Sequence, residues 1–454
     1  MTMAIETPAP RAVPGSYSPW GLGTLVHTVD FRCVSGWLEF FRKHQRRHGS
    51  VFKANILFHP AIVATDHRAI APLFDSEDFV QDYGFAWAKP PLSLVGYVTP
   101  SIFENGPAHD RPKALYMRML RQRASTLSAT FDQVAAGFID RWAGLGKFSF
   151  CDELEDLAAS FLFQWFLGQR PDPCDVRTVY QKIFNHIPIV TRITQHFPWS
   201  SYSRSLVIYH QLLAFVKATP RFPEILAMAR EEGLRDEDFV AKQITFLIGM
   251  NSFLGTQNLM KSIIGELSLR PELCEKLRLE IGTALGAQAG PIDLRKLDAA
   301  TMPLLDKTLR EILRLHPPVT LIYGRATRDC VIESSSGVFR IPKGELLMGV
   351  IPFAHLDPAV FPDPERFDPD RFDRPASSAH LIWPRGLHDG PSTPGNRTCP
   401  GKDVAILIAK LFAATLLMRT HWRLREPPQW EKRKFPLNVA APKGALEVES
   451  FTRP

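Results

Sequence analysis

The sequence predicts a mainly α protein with a small β subdomain. Three observations carry that expectation: long stretches with helical periodicity, few and short strand-like runs, and a proline-rich irregular segment late in the chain. Proline is abundant, at 38 of 454 residues, about 8% against a usual ~5%. It gathers in residues 7–21, 89–112, 171–173 and 352–376, which leaves helix-compatible stretches between the clusters.

In chain order, residues 1–20 form a proline-rich N-terminal segment. "FRKHQRRHGS" alternates cations with apolar positions, like one face of a helix. "SVFKANI" and "AIVATD" read as strands. Residues 236–269 read as one very long helix, apolar nearly all round in its middle and therefore buried. Pro303–His316 places Leu304, Leu305, Leu309, Ile312, Leu313 and Leu315 on one broad apolar face. "CVIES" and "LLMGVIPFA" are further strand-like stretches, and a last apolar helix begins near Lys402.

Hydrophobic residues at 45% and charged residues at 22% describe a soluble globular protein. No apolar run approaches the ~18 residues of a membrane span. The N-terminus has no apolar core of signal type and carries Glu6, so a cytoplasmic location is expected. The net charge of +7 is not gathered into a basic tract, which argues against nucleic acid as a partner. Cysteines 33, 151, 174, 274, 330 and 399 are scattered without a CxxC pair. That fits a reducing compartment and argues against a disulfide framework or a zinc site.

Two constellations carry chemistry. Glu311 and Arg314 lie three apart on the face of an amphipathic helix that "HPPV" ends at once. Such a pair is usually a solvated bridge, but here its surroundings are apolar. Arg371, in "PERFDPDRF", is a third partner: a carboxylate between two guanidinium groups can pin an irregular segment by bidentate bonds. Near the C-terminus, Gly395, Arg397, Cys399 and Gly401 fall at alternate positions. Glycines admit something flat and close. The helix starting near Lys402 places N–H groups and a positive dipole end by the sulfur, which favours the thiolate. A lone thiolate suits haem iron, and a cation two residues away suits a haem propionate.

The ordered set, ExxR, then a PxRF-type segment, then GxRxCxG before a helix, resembles the haem-thiolate cytochromes of the cytochrome P-450 superfamily. The resemblance implies a single haem-thiolate domain over 1–454 and haem b as cofactor, with Cys399 as its axial ligand. It also implies an ion triad of Glu311, Arg314 and Arg371, with Arg397 facing a propionate. His109 and Lys113, in "HDRPK", match the superfamily's His-x-x-x-basic pattern for propionate contact.

The acid–threonine pair that monooxygenases of this kind carry in the central helix is missing. The stretch reads "FLIGMNSFLGTQN", with Asn251 in the buried part, Thr256 after Gly255, and Glu266 as the nearest acid. An amide can donate to a peroxide without delivering a proton; a mid-helix Asn satisfied by its neighbours is the plainer reading.

A narrower resemblance rests on "VPGSY", "LVGYVTPS", "GMNSFLG", "PPVTLIYGRATRDCVIES" and "LIWPRGLHDGPSTPGNRTCPGKD". These are similar to the oxylipin branch, which holds allene oxide synthase, hydroperoxide lyase, divinyl ether synthase and epoxyalcohol synthase. Departures are Leu254, where the branch tends to have glycine, and Ser392, where the superfamily has phenylalanine seven residues before the cysteine. The branch cleaves the O–O bond of polyunsaturated fatty acid hydroperoxides homolytically, needing neither dioxygen nor a redox partner. By carry-over, Asn251 orients the hydroperoxide. Leu94 stands where allene oxide synthases carry phenylalanine and lyases a non-aromatic residue. An aromatic face stabilises a developing cation and leucine does not, so the expected activity is hydroperoxide lyase, giving aldehydes through a hemiacetal. Allene oxide or epoxyalcohol synthase, an NAD(P)H-dependent monooxygenase, and a non-catalytic haem binder are the alternatives. The apolar stretch "TQHFPWSSYSRSLVIYHQLLAF" suits either peripheral membrane contact or core packing.

Overall fold

The computed structural model describes residues 9–17, 26–27, 29–31, 35–56, 59–82, 100–183, 196–286, 290–374, 379–383, 386–430 and 442–453. After helix α1 (Trp37–His48) come the antiparallel strands β1 (Val51–Ile56) and β2 (His59–Ala64), and then the short β3 (Phe79–Gln81). A helical run follows: α2 (Pro107–Arg123), α3 (Leu127–Leu145), α4 (Phe150–Leu167), α5 (Pro173–Ile183), α6 (Ser201–Ala218) and α7 (Phe222–Glu231). The central helix comprises α8 (Glu237–Met250), a π-helical turn (Asn251–Thr256) and α9 (Gln257–Ser268). Next are α10 (Pro271–Leu285) and α11 (Pro303–Leu315). Strands β4 (Leu321–Ala326), β5 (Cys330–Ser334), β6 (Gly337–Ile341) and β7 (Leu346–Val350) precede the irregular segment. The chain closes with α12 (Lys402–Arg419) and the antiparallel pair β8 (His421–Leu424) and β9 (Val448–Thr452).

The main sheet has five strands in the order β1-β2-β7-β4-β3. Among the described strands of this sheet, β2 and β7 run parallel, with Val63 facing Met348. Sheet residues such as Phe52, Val63, Leu347 and Met348 are fully buried and form two cores apart from the helical one. That burial explains why these strands read as continuous apolar runs rather than as alternation. β4 and β6 were not among the strands expected from sequence. Each carries a glycine and an arginine, Gly324 with Arg325 and Gly337 with Arg340, which dilute the apolar signal.

The helical core gathers α3, α4, α8, α9, α11 and α12 through Phe131, Phe161, Ile244, Ile263, Leu309 and Phe412. α4 is buried nearly all round and ends at Gly168, whose φ of 76° is the left-handed cap that glycine adopts without strain. α8 starts at a true cap, with Asp236 accepting from Phe239 N at 3.0 Å. The long helix expected over 236–269 is therefore present but not uniform: the π turn interrupts it between Met250 and Gln257. No described helix is long and apolar enough to cross a membrane. In the stretch expected to touch lipid or pack inside, Tyr202, Tyr209 and Leu212 are buried, whereas Trp199 is 72% exposed.

Candidate haem site

α11 supplies a buried charge cluster. Glu311 and Arg314 are wholly inaccessible to solvent. The pair is bidentate, with Arg314 Nε donating to Glu311 Oε2 at 2.7 Å and Nη2 to Oε1 at 2.8 Å. Arg371 Nε donates to the same Oε1 at 3.1 Å, and Asp368 N at 2.8 Å. The remaining guanidinium N–H groups take backbone carbonyls of the irregular segment: Arg314 those of His355 and Pro364 at 2.8 Å, Arg371 that of Pro362 at 2.9 Å. One carboxylate and two planar cations thus fasten residues 355–371 to α11. Such a cluster survives burial because nearly every donor has an acceptor.

The loop before α12 is tied together by Asn396. Its Oδ1 accepts from the backbone N–H groups of Thr393 and Thr398, both at 3.2 Å, and its Nδ2 donates to Pro391 O at 2.9 Å. Lys113, from α2, reaches across to Asn396 O at 2.6 Å and Oδ1 at 3.0 Å. Ser392, standing where phenylalanine is usual, donates to Thr398 O at 3.0 Å. Sequence reasoning missed Asn396; the "PGN" turn signature was the available signal, since Asn after Gly commonly closes a turn with its own side chain.

Cys399 Sγ lies at the end of this loop. Burial is the largest influence on the thiol and pushes its pKa up. The Gly401 N–H, Lys113 and the Trp383 indole all pull the other way. The N–H at the helix start favours the thiolate, as expected from sequence, but in the protein by itself desolvation outweighs it. Trp383 is a second residue not foreseen. It is 4% exposed, and its Nε1–H meets no acceptor in hydrogen-bond geometry. It lies near enough to Sγ to favour the anion, in a contact looser than a formed hydrogen bond.

The cations expected to meet propionates are brought together. Arg397 donates to Glu104 O at 2.7 Å and to Asn105 Oδ1. Asn105 in turn accepts from Gln81 N at 2.8 Å, so the edge of the sheet positions Arg397. His109 Nδ1 pairs with Asp110 Oδ1 at 2.7 Å. Burial pushes the His109 pKa down to about 4, with Arg397 and Lys113 adding to the depression. A cavity of about 240 Å³ opens beside Arg397, Gly395, Asn105 and Tyr323. A larger one, about 500 Å³ between α3 and α4, is lined by Gln133, Ser160 and Arg170 and holds none of these residues.

These residues fit a haem. A half-buried thiol has an unpartnered indole N–H beside it. A Cβ added to Gly395 would meet nothing within 4 Å, and one on Gly401 only Leu120 at 3.9 Å, so the loop leaves room for a flat group. Lys113 and Arg397 place positive charge beside the neutral His109 ring and Asp110, which suits the paired carboxylates of propionates.

Asn251, the first residue of the π turn, is half-buried, and its Nδ2 donates to Leu247 O at 2.9 Å. That uses one of two amide hydrogens; the second and Oδ1 remain, with Oδ1 facing the backbone of Gly255. Glu266 is fully engaged elsewhere, pairing with His316 Nε2 at 2.6 Å and with Arg270. Leu94 lies outside the described residues, as does the side chain of Leu254.

Comparison with known proteins agrees with this geometry. The cytochrome P450 family model matches residues 221–448. The chain is 29% identical to an allene oxide synthase of Linum usitatissimum, over 91% of this chain and 83% of that one. It is 28% identical to a divinyl ether synthase of Selaginella moellendorffii, over 90% of each. It is 27% identical to a fatty acid hydroperoxide lyase of Solanum lycopersicum, over 91% of this chain and 95% of that one. In fold it is similar to retinoic acid bound cyanobacterial CYP120A1, with a TM-score of 0.72 at 22% identity, over 94% of this chain and 96% of that one. The chain belongs to the cytochrome P450 family, whose cofactor is haem held by a cysteine thiolate, and its relatives by sequence lie in the family's oxylipin branch.

Proposed function

We propose that this protein converts polyunsaturated fatty acid hydroperoxides, with Cys399 as the thiolate ligand of its haem, and that it is a hydroperoxide lyase. The observation that carries the reading is an amide, Asn251, at the π turn of the central helix, with no acid available beside it. Of the acids on that helix nearest to Asn251, Asp238 pairs with Lys217 and Glu266 is spent on His316 and Arg270. A monooxygenase must protonate bound oxygen. A hydroperoxide arrives with its O–O bond made and needs only to be held. The relatives, named as allene oxide synthases, a divinyl ether synthase and a hydroperoxide lyase, support the same substrate class.

When bound, haem supplies homolytic cleavage of the O–O bond. The chain supplies the rest. Asn251 donates its remaining N–H to the hydroperoxide and fixes which oxygen faces the cofactor. Lys113 and Asn396 hold the cysteine loop, and Arg397 and His109 would hold the propionates. Leucine at position 94 would give a developing carbocation no aromatic face, which would favour return of the hydroxyl to the carbon radical and cleavage of the resulting hemiacetal into two aldehydes. Exposed Trp199, ring to ring with Phe197 at 5.0 Å, supports peripheral contact with the lipid in which such substrates dissolve.

The test is to incubate the haem-loaded protein with 9- and 13-hydroperoxides of linoleate, without reductant, and identify the products. Aldehydes are expected. Ketols would make it an allene oxide synthase, and epoxyalcohols an epoxyalcohol synthase. Turnover only with NAD(P)H and a reductase would overturn the substrate class.

A further inference from the structure

The central helix leaves α geometry at Asn251–Thr256. π turns inside α-helices have identifiable causes, commonly a side chain entering the hydrogen-bond ladder, and they gather at functional sites. No proline lies in α8 or the turn. The group that enters comes from α5. Tyr180 is 4% exposed, and its hydroxyl donates to Thr245 O, with Phe246 O at 3.4 Å. The same oxygen lies against the backbone of Gly249. Thr245 C=O and Gly249 N–H are four residues apart, the two halves of one α-helical rung.

Residue choice makes this possible. A Cβ on Gly249 would fall on Cζ, Cε2 and the hydroxyl of Tyr180, so only glycine admits the ring there. Beyond the rung, the Tyr180 ring lies parallel to that of Phe253, centroids 5.5 Å apart with 10° between planes. Phe253 is itself in the π turn. Tyr180 therefore holds the helix on both sides of Asn251: at the rung before it by the hydroxyl, and inside the turn by the ring. Just past the rung, the Asn251 N–H is shared between Leu247 O and Ile248 O, and Asn251 Nδ2 also takes Leu247 O.

We propose that Tyr180 is a positioning residue for Asn251: its hydroxyl, seated at the Thr245–Gly249 rung through the gap left by Gly249, sets the π turn that aims the amide at the hydroperoxide. This rests on the role given to Asn251 above and adds what fixes its direction. The hydroxyl draws on the Thr245 carbonyl while the ring packs on Phe253, so one side chain ties the end of α8 to the turn that follows.

The test uses the haem-loaded protein and Tyr180→Phe, which keeps the ring and removes the hydroxyl. Gly249→Ala, which displaces the ring, is the second variant. Hydrogen exchange of the amides of residues 245–256 and the spin state of the resting ferric haem are read without substrate. Then kcat and KM are measured for the linoleate 13-hydroperoxide. For Tyr180→Phe the expected result is altered exchange at Gly249 and through the turn, a changed high-spin fraction, and kcat lowered about 10- to 100-fold with KM little moved. In an Asn251→Ala background, the further loss of kcat from Tyr180→Phe should vanish, because the two act through one group. Unchanged exchange and kcat in Tyr180→Phe, or an equal loss with and without Asn251, overturns the proposal and leaves Tyr180 as packing. If the parent protein consumes no hydroperoxide, the substrate reading fails instead, and exchange together with spin state decides the role of Tyr180.

Discussion

At the scale of single residues, Cys399 is the simplest to test. It is the thiol at the end of the loop that Lys113 and Asn396 hold, and burial alone disfavours its anion. Coordination to iron supplies the missing charge. Cys399→Ala should therefore abolish the thiolate signature of the Soret band together with activity; a parent-like spectrum would remove it as the ligand. Asn251→Ala should slow hydroperoxide consumption by about 5- to 150-fold, the rate equivalent of one lost hydrogen bond worth ~1–3 kcal/mol. The resting spectrum should keep its thiolate character. Leu94→Phe tests product choice: an aromatic face worth ~0.5–2 kcal/mol to a cation should shift products toward ketols by about 2- to 30-fold. Products are separated after hydrolysis and their ratio compared with the parent's. An unmoved ratio would make Leu94 a packing residue and remove the ground for lyase over synthase.

At the scale of elements, the charge cluster on α11 decides whether the irregular segment stays docked. Glu311 is the sole carboxylate facing both Arg314 and Arg371, and all three are buried. Glu311→Ala leaves two buried cations without a counter-charge, a loss of ~3–5 kcal/mol. The expected outcome is low haem retention and a lowered Tm, measured by haem-to-protein absorbance ratio and thermal melt. A fully loaded variant with a parent-like melt would show that the cluster does not hold the segment in place. These elements also show what the sequence made legible. Glu311, Arg314 and the α12 start could be read because their spacing is local: a three-residue step on a helix, and alternate positions in a loop. The π turn could not be read, because its cause, Tyr180, lies some seventy residues away on α5. Trp383 was hidden for a related reason: its indole matters only once the fold sets it beside Cys399. β4 was missed because Gly324 and Arg325 interrupt its apolar pattern, although its pairing with β7 is complete from Leu321 to Arg325.

At the scale of the whole molecule, buried histidines join the parts and make the fold sensitive to acid. His355 follows β7 and is wholly buried. Its Nδ1–H donates to Arg314 O at 3.0 Å, and its Nε2 accepts from Ile382 N at 2.9 Å. One nitrogen must therefore carry a proton and the other must not, so the ring is held neutral between the charge cluster and the strand end beside Trp383. Burial keeps its pKa well below the ordinary value, with His67 and Arg314 adding to the depression. His67, its Nε2 buried without a partner, is pushed down to about 4 by burial and by His380. In the unfolded chain these rings titrate near pH 6.5. Between that value and about 4 the unfolded state binds more protons than the folded one, so stability rises with pH there and falls as pH drops. Each such ring contributes a slope of up to ~1.4 kcal/mol per pH unit. Glu266 and Asp306, whose cationic partners hold them below the usual carboxylate range, add their own loss only at lower pH. The Tm of the haem-loaded protein should thus be level above about pH 7 and begin to fall near 6.5, earlier than carboxylate protonation alone would allow. His67→Gln should flatten the decline between those limits by removing one titrating ring. A melt unchanged from pH 7 to pH 5, or a His67→Gln profile parallel to the parent's, would show that these rings are not held neutral by the fold.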